Sequence, residues 1–457
     1  MTFIFQIVLA IFFLAFARLC AKDTKNGIYI VLFLLPLYLV RFSPGGIPTT
    51  ALEIMIYVLF ISWVLKNKKD LNIFESIGKF YRSDKILAAG IGLLFLGAIL
   101  SMFHSSDLRA SLGILKGWFA DPFLFFIIFT SEIKTRKQIV GAIWSFVLSG
   151  FAVALISVGY ALNNVFTFDG RLRAFYESPN YLAMYLAPAF LFAVYLFSLK
   201  KRDDVSLLFR MDGRNSSAVS KLDKVGSVIL KGSFGASRND KRAQVVILFS
   251  FGIAIFLTKS YGAVLGITAA LFCFFLKKYK SGNRQLRPKN QKALIVLASV
   301  ALVFFSFLTF QKYEQIANSN ERSSLHSRLM IWEASKEMLK DSPVFGIGPG
   351  TFQETYLAYQ SRFFTPYLEW AVAEPHNTLL AFYLQSGVIG LAGFIMILFW
   401  LAKRARTGDI IFLFLVYFLV HGLVDTLYWK NDLAMIFWIA IGLARALTRD
   451  DAVLCQK

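Results

Sequence analysis

The chain has 457 residues, of which 57% are apolar and 48 are Phe, and its mean hydropathy is +0.58; a water-soluble domain of this size could not hide that much apolar surface in one core. The formal net charge of +21 would suit a nucleic-acid ligand, but in so apolar a chain the first question is which side of a membrane the cations occupy. The apolar runs are too long and too uniform for barrel strands, so the expected fold class is an all-α integral membrane protein with no nucleic-acid partner.

In chain order, the apolar runs predict spans at 2–20, 27–41, 49–65, 86–103, 113–130, 139–162, 179–199, 243–258, 261–276, 293–310, 377–401, 410–428 and 432–447, about 12–13 transmembrane helices. The first run lacks a basic leader and a small-residue cleavage site, which predicts a retained span rather than a signal peptide. Between the third and fourth, Leu71, Ile73, Phe74, Ile77 and Phe80 predict a short interfacial helix. With the long polar loop 311–376 placed outside, most of the 49 Lys and Arg fall inside, notably in the loops 200–242 and 277–292, as the positive-inside rule asks. The chain then divides into a membrane bundle over 1–310, an outer helical lid over 311–376, and final spans with a cytoplasmic tail over 377–457. Cys20, Cys273 and Cys455 have no metal-ligand spacing, so no disulfide, metal or cofactor is expected.

The outer loop has the pattern of a folded element. Ser323 or Ser324 can cap a helix over 325–340, with Leu325, Leu329, Trp332 and Leu339 on one apolar stripe. Pro343 then ends it, Gly346, Gly348 and Gly350 form a turn, and a second short helix is predicted over 351–362. Loops of this length with their own structure are usually functional.

The strongest local signal is Glu374-Pro375-His376-Asn377 at the start of a late span, with Pro375 suited to a first helical turn. A histidine at the positive end of a helix can offer a ring lone pair as a general base, with Glu374 or Asn377 to orient it; the other reading is an ordinary interfacial residue. Arg328, beside the lid stripe, can fork two phosphate oxygens or pair with Glu333 or Glu337. Arg171, Arg173 and Lys259 add cations on the less basic face, and Lys116 is either a fourth or a snorkelling lysine. Asn180, opening a span, caps it or binds sugar hydroxyls. His421 and Asp425 form a second polar pair that helix-to-helix hydrogen bonding also explains.

Taken together, Arg328 with Trp332, the turn Gly346-Ile-Gly348-Pro-Gly350, Pro375-His376-Asn377 and the upstream Ser178-Pro-Asn180-Tyr-Leu-Ala183 resemble the O-antigen ligase and polymerase family over residues 170–395. The resemblance implies a general base at His376, a diphosphate ligand at Arg328, and a multi-pass plasma-membrane enzyme with its active site on the periplasmic or extracellular side. It implies an undecaprenyl-diphosphate-linked glycan as donor, and a glycolipid, glycan or glycoprotein as acceptor, in the synthesis of lipopolysaccharide or another envelope polysaccharide. Where the family commonly has Ser-Arg, this chain has Ser260-Tyr261, with Lys259 as the candidate replacement cation. Ligase, chain polymerase and protein O-oligosaccharyltransferase share these features. A transporter or flippase of lipid-linked sugars is the alternative from another class, and it would place polar residues on broken helices near mid-membrane.

Overall fold

The computed structural model describes residues 3–43, 46, 48–68, 78, 80–198, 241–280, 324–360, 362, 372–405 and 409–455. The elements are α1 (Phe3–Lys22), α2 (Thr24–Phe33), β1 (Arg41–Phe42), β2 (Thr49–Thr50), α3 (Ala51–Asn67), α4 (Lys85–Met102), α5 (Leu108–Ile114), α6 (Asp121–Glu132), α7 (Arg136–Leu162), α8 (Pro179–Ser198), α9 (Lys241–Leu257), α10 (Tyr261–Lys280), α11 (Ser324–Asp341), α12 (Phe352–Gln360), α13 (Thr378–Ala405), α14 (Asp409–Gly422) and α15 (Asn431–Cys455). The only sheet among the described residues is the two-residue antiparallel pair β1–β2, with Arg41 opposite Thr50. This is an all-α integral membrane protein.

Six described helices are long and apolar enough to cross a bilayer, and three shorter apolar ones accompany them. The expected span over 27–41 is instead a ten-residue helix followed by a 3-10 turn, Leu35–Leu39, because Pro36 interrupts the ladder of backbone bonds. The expected span 293–310, the loop 200–240 and all but Phe80 of the expected interfacial helix lie outside the described residues.

Helix α13 is the spine of the bundle and packs along α4. Small residues allow the contact: a Cβ added to Gly97 would lie 2.1 Å from the Gly390 backbone nitrogen. Helices in lipid gain association energy from such close backbone approach rather than from water exclusion. One end of the bundle carries the charge cluster Asp84, Arg404 and Arg445, with Arg404 donating to Asp84 at 2.8 Å, and the Lys277–Asp409 pair at 3.0 Å. The other end gathers the starts of α8, α10, α13 and α15 with the ends of α9 and α14.

The lid helix α11 and the short α12 form at the expected places. The buried face differs from the expected stripe: Ile331, Ala334 and Met338 are buried, while Leu329 is 44% exposed. Leu339 and Trp332 of that stripe pack, partly buried, against the cluster of Ile331, Met338 and Leu384, and the glycine turn seats the lid as well. Helix α13 breaks at Gly387 (φ 65°), and the turn inserts there. In an unbroken helix the Val388 N–H would donate to the Leu384 carbonyl. Instead Val388 donates to the Val344 carbonyl at 2.9 Å, and Ile347 N–H donates to Leu384 at 2.7 Å. One helical bond is thus exchanged for two, which satisfies the Val388 N–H and the Leu384 carbonyl at the break.

Candidate active site

The segment 375–378 is held from three sides. Asn377 accepts from Leu380 N–H at 2.9 Å, the geometry of a helix cap, and donates to the Leu423 carbonyl at 3.0 Å. Thr378 donates to the Asp425 carbonyl at 2.9 Å and accepts from Leu427 N–H at 3.1 Å. From the lid, the Trp332 indole donates to the Pro375 carbonyl at 2.9 Å. Pro375 therefore lies before the cap and not in the first helical turn, and His376 takes a left-handed backbone (φ 50°), a conformation that costs on the order of 1–3 kcal/mol and needs surrounding contacts to hold it.

The His376 ring is oriented by Asp425, with Nδ1 2.9 Å from Oδ1, and not by Glu374 or Asn377. Asp425 is 2% exposed. Burial pushes its carboxyl up, but the hydrogen bonds and charges of His376 and His421 outweigh this and hold it well below the usual carboxylate range. A carboxylate only accepts, so His376 Nδ1 carries a proton, and in the neutral tautomer this fixes, the lone pair is on Nε2. The other oxygen, Oδ2, faces His421 Nε2 at 3.6 Å and the Arg328 guanidinium at 4.0 Å.

Arg328 also donates from Nε to the Val424 carbonyl at 3.0 Å, so one lid residue touches the loop that carries Asp425. Arg171 donates from Nε to the Thr258 carbonyl at 2.8 Å and to the Asn180 side chain. Burial lowers its pKa; the charges of Asp169 and Asp425 oppose that, and the nearby Arg328 charge reinforces it. Two guanidinium groups thus sit within electrostatic reach of each other and of Asp425. Tyr261, at the start of α10, is 45% exposed and acts electrostatically on Arg171, and Lys259 Nζ lies over the turn at Gly170.

Of the residues singled out in the sequence, His376, Arg328, Arg171, Asn180, Tyr261 and Asn377 come together around the 423–427 loop, with Lys259 beside them at the Gly170 turn. Arg173 is exposed at the edge. Glu374 is instead buried, accepting from Gln385 at 2.7 Å, with burial raising its pKa well above the usual value. Lys116 stands apart, its ammonium 2.6 Å from Glu53. Asp425 was visible in the sequence only as a partner of His421, four residues away; nothing in its spacing linked it to His376. Among the described residues, no group of three or more His, Cys, Asp or Glu could hold a metal ion.

Residues 245–395 match the family model described as O-antigen ligase. That match supports an O-antigen ligase family assignment. The matched stretch contains Arg328, the glycine turn and His376, while Arg171 and Asp425 lie outside it and join the candidate site through the contacts described above. No curated protein matches the chain.

Proposed function

We propose that the protein transfers a glycan from an undecaprenyl-diphosphate-linked donor to an acceptor hydroxyl, at the outer face of the plasma membrane. The observation that carries this reading is the pairing of an oriented imidazole with guanidinium groups at one end of the bundle. His376 Nε2 takes the proton of the acceptor hydroxyl, with Asp425 stabilising the imidazolium that forms. The hydroxyl oxygen attacks the anomeric carbon from the face opposite the diphosphate; the bond to the diphosphate oxygen breaks with its electron pair, and the anomeric configuration inverts. Arg328 and Arg171, with Lys259 and the Tyr261 hydroxyl, stabilise the charge growing on the leaving diphosphate. A diphosphate so held needs no general acid. Asn180 holds the Arg171 fork in place.

A transporter reading draws on one feature, the broken helix at Gly387. The Val388 N–H and the Leu384 carbonyl at that break are taken up by the lid turn, and the charged groups of the candidate site sit at the helix ends rather than at mid-span.

The test is transfer by the purified chain in nanodiscs from an undecaprenyl-diphosphate glycan to an acceptor glycolipid. The expected products are an inverted glycosidic linkage and undecaprenyl diphosphate, formed equally well with a chelator present. Retained configuration, or a strict need for divalent metal, would contradict the mechanism.

A further inference from the structure

A second polar cleft lies at the same end of the bundle, away from His376. It has a volume of about 410 Å³ and is lined by the β1–β2 pair, by Glu53 at the start of α3, and by Gly113, Lys116, Trp118 and Asn431. Between α5 and α6 the helix widens into a π turn, Leu115–Ala120, of a kind frequent at functional sites. Two residues apart on an α-helix, Lys116 and Trp118 would not face the same way, yet both line this cleft. Gly117 between them leaves room for Asn431 and Glu53, which an added Cβ would approach to 3.1 Å.

The polar groups are arranged and charge-matched. Lys116 donates to Glu53 at 2.6 Å and to the Pro48 carbonyl at 3.1 Å. Asn431 donates to Glu53 at 3.2 Å and accepts from the Trp118 indole at 3.1 Å. Arg41 pairs with Glu177 at 2.8 Å. Both lining cations sit against a carboxylate, Arg41 sharing Glu177 with Lys430, which disfavours a multiply charged anion. The lining groups that suit a neutral ligand are the Lys116 ammonium, the Arg41 guanidinium, the Ser43 hydroxyl and the rings of Trp118 and Phe42. The volume lies within the range of small-molecule sites.

The cleft is joined to the reaction centre by two short segments. Asn431 is six residues from Asp425, a reach of no more than about 22 Å even if extended. In the other, Asn180 holds Arg171 while Tyr181 lies under Lys430, 3.9 Å from the ring centre, and Lys430 pairs with the Glu177 that Arg41 also holds. We propose that this cleft is a sugar-binding subsite, taking an uncharged pyranose unit of the glycan chain remote from the bond that reacts. The proposal rests on the glycan-transfer reading above.

Binding, rather than turnover, tests it. The probe is the oligosaccharide released by mild acid from lipid-diphosphate glycans of the membranes in which the protein is made, titrated by calorimetry into the full chain in nanodiscs. Gly113→Phe is designed to fill the cleft from its lining; a Cβ added there meets nothing within 4 Å. It is expected to weaken binding by at least about tenfold, and Arg41→Gln by about threefold. No binding to the wild type, or equal binding by Gly113→Phe, would overturn the subsite. Failure of the transfer reading would show elsewhere, as undiminished turnover in His376→Ala, which the binding measurement does not use.

Discussion

His376 Nδ1 lies 2.9 Å from Asp425 Oδ1, joining the start of α13 to the loop after α14 across 49 residues of sequence. Replacing Asp425 by Asn keeps the shape but removes the obligate acceptor, so the amide can bond the other tautomer and leave Nε2 protonated. Asp425→Asn is expected to lower kcat at saturating donor by at least about a hundredfold. Turnover within about twofold of wild type would remove Asp425 from the mechanism.

The Trp332 indole is the hydrogen bond by which the lid holds the histidine segment. Trp332→Phe keeps an aromatic ring on the lid cluster but loses the indole N–H bond, about 1 kcal/mol, with part of the ring's packing. It is expected to cut kcat by about tenfold with little change in melting temperature. A large fall in melting temperature with unchanged kcat would assign Trp332 to packing alone.

Gly387 and the lid turn occupy each other's space. A Cβ at Gly387 would lie 2.4 Å from the Val344 carbonyl oxygen, and the residue has φ 65°. Gly387→Ala is expected to cost at least about 1–3 kcal/mol and to make the lid susceptible to proteolysis. A stable, protease-resistant variant would contradict the inserted turn.

Glu374 gives a pH signature. Its folded pKa is raised by burial, so the stability it allows is present below the ordinary Glu value of about 4.3 and declines as pH rises toward the folded value. Glu374→Gln retains an acceptor for Gln385 and removes the ionising group. Its melting temperature should gain on the wild type as pH increases from about 5 to about 8. A difference that does not change with pH would mean that Glu374 is not buried in this way.

Much of the bundle was legible because hydrophobic runs and helix-end chemistry act locally. The lid helix, the glycine turn and the His376-Asn377 opening all fell where their spacing put them. Three features were not legible, and each depends on long-range contact. The break at Gly387 needs the turn at Gly346 to stabilise it, and one glycine in an apolar run carries no such signal. The orienting role of Asp425 requires that the loop after α14 fold back onto α13. Lys116 read as a cation on the less basic face, but its charge is matched by Glu53, 63 residues earlier in the chain.

The central claim is that His376 takes the acceptor proton while Arg328 holds the leaving diphosphate. Single-turnover transfer from an undecaprenyl-diphosphate glycan, followed in nanodiscs for the wild type, His376→Ala and Arg328→Lys, tests it most directly. The account predicts that His376→Ala binds donor normally and fails to transfer it, and that Arg328→Lys, which keeps the charge but loses the fork and the bond to Val424, both weakens donor binding and slows transfer. Transfer at the wild-type rate by His376→Ala would contradict the account.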